Sequence, residues 1–174
     1  MRTPSLLLLL VTLLPGMSGA AAAYENDYDE PAPWTEDVKP VPAPPQEADL
    51  IRLAVDGPQR NFKHYIDSKS LTTHADGVVT YTAVIASDSG AQNILFEGIR
   101  CEMARYKTYA YGNGAGGFQQ SLASSWQKIL TRSGPTNYRS ELLRYYLCDE
   151  RGLPLQPHVI IERLKHPNPP RYTG

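Results

Sequence analysis

Residues 74–86 read H-A-D-G-V-V-T-Y-T-A-V-I-A, and this stretch decides the fold. Its first four residues are a turn signal, because Gly77 tolerates the positive φ angle that closes a hairpin or a bulge. The nine residues that follow are rich in Val, Thr, Tyr and Ile, which suit a pleated and partly buried surface. Residues 74–86 therefore predict a turn that leads into a β-strand.

Similar segments on both sides of this strand extend the pattern into a sheet. Each is a short apolar or aromatic stretch, and turn residues such as Gly and Pro separate them. These segments are residues 50–55, 61–67, 93–102 and 106–111. The succession predicts an antiparallel meander sheet of about five or six strands.

The period of the apolar residues changes near the end of the chain. Tyr138, Leu142, Tyr145 and Tyr146 recur at helical spacing, which predicts an amphipathic helix over residues 137–147. Pro157 and the apolar residues after it fit a second short helix over residues 158–165, but Val-Ile-Ile also favours a terminal strand. With one or two C-terminal helices beside the sheet, the fold class is α+β.

The first 23 residues have the three parts of an export signal. Arg2 supplies a positive charge, residues 6–14 are apolar, and the segment ends in small residues up to Ala23. The apolar run is too short for a transmembrane helix, which needs about 20 residues. We therefore expect cleavage after Ala23, export from the cytoplasm and no transmembrane segment.

Charge and composition divide the rest of the chain. Residues 24–49 hold eight acidic residues and one basic residue, a net charge of −7, whereas residues 50–174 carry a net charge of +5. The first of these pieces also contains six prolines, and it is too polar to offset its ordering entropy. We expect a disordered acidic and Pro-rich leader over residues 24–49, a domain over residues 50–166 and a flexible tail over residues 167–174. The leader is a solvated linker, or it docks a partner or shields the basic domain.

The chain contains two cysteines, Cys101 and Cys148. In an exported protein such a pair is most simply explained by a disulfide, because the compartment is oxidising. If the two pair, the bond joins the predicted sheet to the end of the predicted helix and closes a loop of 48 residues. A loop of this length should stabilise the fold by about 4 kcal/mol.

Other patterns do not predict catalytic or cofactor chemistry. Gly112, Gly114 and Gly117 satisfy G-x-G-x-x-G, but the core is too small and too antiparallel for a dinucleotide-binding βαβ unit. They fit a hairpin loop before a strand that contains Trp126. The four histidines are scattered without a metal-binding spacing, and the sequence predicts no metal site and no cofactor.

Basic residues of the domain form a candidate anion-binding surface, with tyrosines between them. Its members are Arg100, Arg105, Lys107, Arg139 and Arg144. In the envelope, such a surface would meet lipid phosphates, anionic polysaccharide or an acidic protein, and we expect no nucleic acid as a partner. The alternative is that these charges are spread over a solvated surface.

Several motifs resemble the cryptic neisserial protein (CNP-like) family. The resemblance covers residues 50–165 and is carried by the E-G-I-R-C run at residues 97–101, Y-x-Y-G at residues 109–112, Trp126 and Y-Y-L-C at residues 145–148. It implies a periplasmic protein of a Gram-negative bacterium and supports a bond between Cys101 and Cys148. It transfers no catalytic residues to this chain.

Two function classes remain open at this point. A non-catalytic envelope accessory or binding protein is favoured, because the chain has a predicted staple and a spacer but shows no catalytic motif. The alternative is a small periplasmic hydrolase whose site is assembled from residues such as His64 and Asp67.

Overall fold

The structure is a computed structural model, and it describes residues 33–55, 61–122, 124–130 and 137–167. The predicted signal peptide, residues 24–32 of the predicted leader and residues 168–174 of the predicted tail lie outside the described residues.

The described residues confirm an antiparallel meander sheet. Strands β1 to β6 are hydrogen-bonded in chain order, and β7 pairs with β5 beside them. The strands are β1 Leu50–Leu53, β2 Phe62–Thr73, β3 Val78–Ser87, β4 Gln92–Arg100, β5 Arg105–Gly112, β6 Phe118–Gln120 and β7 Gln127–Lys128. The deciding stretch of the sequence becomes the turn before β3 and β3 itself, which lies between β2 and β4.

Alternation along β3 gives the sheet two distinct faces. Val79 and Tyr81 belong to the main apolar core, on the face that we call the helix face. Val78, Thr80 and Thr82 point to the opposite side, yet they are equally buried. Both faces of the sheet are therefore covered.

Two helical segments cover the helix face. The first comprises α1, Tyr138–Glu141, and a π-helical continuation, Leu142–Leu147, and it confirms the helix predicted over residues 137–147. The second, α2, spans Pro157–Lys165 with proline in its first turn, so the strand alternative is wrong.

The disulfide joins these helices to the sheet. Cys101 follows β4, Cys148 follows the π-helical turn, and their Cα atoms are 5.7 Å apart. The bond between them confirms the predicted staple.

Residues 34–49 cover the other face, which we call the leader face. Trp34 donates a hydrogen bond from Nε1 to the carbonyl oxygen of Asp76, and Pro44 and Pro45 line a groove together with Ile94. The compact unit that contains the sheet begins at Trp34 rather than at residue 50. This part of the leader differs from the expected solvated spacer, because its partners lie on the sheet and its own composition does not reveal them.

The glycine-rich segment forms a hairpin loop between β5 and β6. The amide of Asn113 donates to the carbonyl oxygen of Gly117, and the Asn113 side-chain oxygen accepts from the amides of Ala115 and Gly117. The loop leads into β6, and Trp126 lies beyond that strand, immediately before β7. The hairpin interpretation is confirmed, but the strand after it is not the one that contains Trp126.

Candidate functional site

A β-bulge in β5 directs two neighbouring side chains, Thr108 and Tyr109, to opposite faces of the sheet. Thr108 pairs with Glu97 and Ala110 pairs with Phe96, so Tyr109 is the extra residue between them. Such a bulge redirects side chains locally. Thr108 consequently faces the helices, and Tyr109 turns to the leader face.

Gly98 makes room for the redirected tyrosine. A Cβ atom at this position would lie 2.9 Å from the Tyr109 ring and 2.8 Å from the Val78 side chain. Because real Cβ atoms do not approach other atoms so closely, any larger residue would move the ring. Gly98 thus helps to fix where the Tyr109 hydroxyl points.

The carboxylate of Glu36 occupies a site built from three side chains. Lys107 Nζ lies 2.9 and 3.1 Å from its two oxygens, the Tyr109 hydroxyl donates to Oε1 at 2.8 Å, and Trp126 Nε1 donates to Oε2 at 3.1 Å. We call Lys107, Tyr109 and Trp126 the carboxylate cage. It combines one positive charge with two neutral donors, which is an arrangement suited to binding a single carboxylate.

The cage also changes the acidity of its members. Burial alone would raise the pKa of Glu36, but the hydrogen bonds from Lys107, Tyr109 and Trp126 outweigh this effect, and the pKa is lowered from the ordinary value of 4.5. Burial, together with the bond to Glu36, raises the pKa of the Tyr109 phenol. Glu36 is therefore charged and Tyr109 is a neutral donor at neutral pH.

An aromatic contact lies beside the cage. The Trp34 ring meets the Trp126 ring edge-on, with centroids 5.9 Å apart and an interplanar angle of 81°. The guanidinium of Arg100 lies over the Trp34 ring, 4.1 Å from its centroid. The arrangement combines an aromatic pair with a cation–π contact.

A buried ion pair holds the C-terminal end of the segment that contains Trp34 and Glu36. Lys39 Nζ lies 2.5 Å from Asp76 Oδ2, and the exposed fractions of the two side chains are 1% and 3%. The amide of Asp37 donates to the same Asp76 oxygen at 2.8 Å. Burial alone would raise the pKa of Asp76, but these contacts lower it. We call residues 34–39 the strap, and the Lys39–Asp76 pair its anchor.

Acidification should release the Glu36 end of the strap. Because the pKa of Glu36 is lowered on docking, its contribution is complete above the ordinary pKa of 4.5 and is lost as the pH falls through the lowered value. We expect tryptophan emission to shift to the red in this range before the far-UV circular dichroism changes. Glu36→Gln should remove this first transition, and Asp37→Asn should keep it. An unchanged transition in Glu36→Gln would contradict the assignment.

A second polar cluster lies within the core, on the helix face. Glu97 is fully buried, and Arg139 binds its two oxygens at 2.6 and 3.1 Å. Tyr81 and Tyr138 donate to Oε2 at 3.1 and 2.7 Å, and Thr108 donates to Oε1 at 2.8 Å. Every contact of this carboxylate is internal, so the cluster is a structural element of the core.

Protonation in this cluster follows from burial and from the shared carboxylate. Burial, and then the charge of Glu97, raises the pKa of Tyr81 and of Tyr138, which remain neutral donors. Burial alone would lower the pKa of Arg139, but its hydrogen bonds to Glu97 raise it. The guanidinium therefore stays charged.

The structure brings together three of the five predicted anion-binding residues. Arg100 and Arg105 are directly opposite each other on β4 and β5, and Lys107 follows on the same face of β5. Arg139, in contrast, is buried in the ion pair with Glu97 and does not belong to this surface. Arg144 is exposed on the π-helical turn.

The residues named for the hydrolase alternative do not share a face. His64 pairs with Ile85 and Asp67 pairs with Thr82, so the alternation of β2 directs them to opposite sides of the sheet. His64 stacks near Tyr138, with ring centroids 5.3 Å apart, and burial raises the pKa of Asp67. The geometry provides no shared site for these two side chains.

Two further features are absent from the described residues. No helix there is both long and apolar enough to cross a membrane. Nor do three His, Cys, Asp or Glu side chains of this part of the chain cluster closely enough to hold a metal ion.

Sequence reasoning found Lys107 but missed its partners in the site. The sequence presents Tyr109 and Trp126 as strand and motif residues, and Glu36 as one acid among the eight of residues 24–49. One available signal was the close sequence of an aromatic, an acidic and a basic residue, Trp34, Glu36 and Lys39, inside an otherwise proline-rich segment. These are side chains that can pair with a basic and aromatic surface.

The chain matches a known protein family along most of its length. The model of the CNP1-like family matches residues 29–165 and so includes the strap, whereas the resemblance described from the sequence covers residues 50–165. Cryptic neisserial protein 1 of Neisseria gonorrhoeae is 29% identical over an alignment of 117 residues. The match covers 59% of this chain and 56% of that protein. The chain thus spans little more than half the length of this relative. No solved structure matches. Since the family match covers well over half of the sequence, the chain belongs to the CNP1-like family.

Proposed function

We propose that the protein is a non-catalytic binding protein of the bacterial envelope, and that it recognises an anionic group of its partner on the leader face. The observation that carries the proposal is the carboxylate cage. Lys107, Tyr109 and Trp126 bind the Glu36 carboxylate through four contacts of 2.8–3.1 Å. A surface that binds one carboxylate in this way is chemically competent to bind another.

The surroundings of the cage support recognition of a partner from solution. Lys107 and Glu36 keep 19% and 23% of their side chains exposed, so an incoming group can reach them. Arg105 adds positive charge on the same face of the sheet, next to Arg100, which is paired with Glu102. Basic residues arranged in this way attract an anionic partner and orient it before contact.

The envelope location rests on the predicted export signal over residues 1–23 and on the disulfide. A disulfide is compatible with an oxidising compartment such as the periplasm. The partner is then an acidic envelope protein or an anionic surface component. We do not propose the hydrolase, because His64 and Asp67 lie on opposite faces of β2.

Site-specific photocrosslinking in living cells tests the proposal. Lys128 is exposed and pairs with Arg105, so a crosslinker there reports on the leader face, whereas His158 on α2 is exposed on the helical side. We expect one dominant crosslinked species from position 128 and not from position 158. Lys107→Met should abolish it, and the matched change Lys165→Met should not. The same products from both positions, or none above an unrelated exported protein, would refute the binding function.

A further inference from the structure

We propose that Trp34 and Glu36 are an intramolecular ligand, and that the external ligand is an acidic peptide segment with an aromatic residue two positions before a carboxylate. This inference rests on the proposed binding function and names the partner chemistry of the same site. We call Trp34 and Glu36 the head of the strap. The head occupies the site until a competing segment displaces it.

The spacing of the head defines the ligand class. In an extended chain, residues i and i+2 point to the same side. Trp34 meets Trp126 and Arg100 while Glu36 enters the carboxylate cage, so these two side chains point to the same side of the strap. An extended peptide with the same aromatic-x-carboxylate spacing would make the same two contacts.

The two ends of the strap differ in how firmly they are held. The anchor is a buried ion pair with exposed fractions of 1% and 3%, and breaking a pair that is shielded from solvent in this way is strongly unfavourable. In the head, Trp34 is 37% exposed and the Lys107–Glu36 pair is partly open to solvent. Solvent weakens an ion pair that it can reach, so the head is held less firmly than the anchor, even though Trp34 also donates a hydrogen bond to the carbonyl oxygen of Asp76. The head can therefore leave the sheet while the anchor remains in place.

The anchor keeps the released head close to its site. Short tethers hold a group at an effective concentration on the order of millimolar. An external segment must compete with this local concentration. Its apparent affinity is its intrinsic affinity multiplied by the fraction of molecules in which the head is undocked. The strap therefore raises the ligand concentration at which the site responds.

Fluorescence anisotropy with a labelled peptide tests this competition in the full mature chain. The probe is the hexapeptide P-W-T-E-D-V, which repeats residues 33–38, and its control carries Gln in place of Glu. The variant Trp34→Ala/Glu36→Gln removes the head but retains the anchor. We expect it to bind the probe at least about tenfold more tightly than the unaltered chain, because the internal competitor is gone.

Matched variants separate competition from general disturbance. Asp37→Asn should behave like the unaltered chain, since only the backbone amide of Asp37 contacts Asp76. Adding Lys107→Met to the head variant should abolish binding, and the Gln peptide should not bind. If the double variant loses its fold by circular dichroism, Glu36→Gln alone provides the same comparison.

Three results would overturn the inference. One is equal binding by the head variant and the unaltered chain. Another is the absence of binding by a folded head variant. The third is a dimer of the unaltered chain in sedimentation that dissociates when the head is removed, because the strap would then bind a second copy. If the peptide fails but crosslinking from Lys128 still depends on Lys107, the inference fails and the binding function stands.

Discussion

Replacing Arg139 with methionine should lower the free energy of unfolding by about 3–5 kcal/mol, because it leaves a buried carboxylate without its counter-charge. Glu97 is fully buried, and Arg139 supplies two of the hydrogen bonds to its oxygens. Urea unfolding followed by circular dichroism measures the change. Arg144→Met, at an exposed position in the same helical run, should cost less than about 1 kcal/mol.

A double-mutant cycle identifies the ion pair as the cause. Glu97→Gln should also destabilise the fold, since it leaves the guanidinium of Arg139 buried without a charged partner. Glu97→Gln/Arg139→Met should then be less destabilised than the sum of the single changes, because contacting residues are not additive. Simple additivity, or an Arg139→Met effect no larger than that of Arg144→Met, would contradict the assigned role.

Removing the disulfide should lower the free energy of unfolding by an amount similar to that expected for Arg139→Met. Cys101 and Cys148 are 47 positions apart, and a closed loop of this size stabilises a fold by about 4 kcal/mol in the chain-entropy model. We expect Cys101→Ser/Cys148→Ser to unfold at a correspondingly lower urea concentration. The unaltered chain should match this variant once a reductant is added.

The control for the disulfide prediction is a test for free thiols. The unaltered chain should not react with a thiol reagent under denaturing, non-reducing conditions, because neither cysteine is free. Reaction at these positions, or equal stability with and without reductant, would show that the bond does not stabilise the protein.

The sheet and the first helix were predictable because their signals are local. The Val, Thr, Tyr and Ile residues of β3 and the helical spacing of Tyr138 and Leu142 depend only on near neighbours in the chain. The segment from Pro157 was ambiguous because its local signals conflict. Val-Ile-Ile favours a strand locally, and packing of Ile160 and Leu164 into the core decides for the helix.

The strap and the core ion pair could not be predicted, because their contacts are remote in sequence. Glu36 lies 71 residues from Lys107 and 90 residues from Trp126, and the local composition around Glu36 does not identify these partners. Glu97 alternates with Leu95 and Ile99 on the helix face of β4, so its burial could have been inferred. A buried acid requires a partner, but nothing in the sequence identifies Arg139 as that partner.

The position of the strap at the start of the fold has a consequence for the time course of synthesis. The ribosome makes Trp34 42 residues before Asp76, and Glu36 90 residues before Trp126. Until residue 126 has been synthesised, the strap cannot make all of its contacts with the leader face. Strands β1 to β6, in contrast, can already pair with their neighbours. Contacts that close such long loops form late. The first described segment to be synthesised can therefore dock only after the strands that receive it have been made.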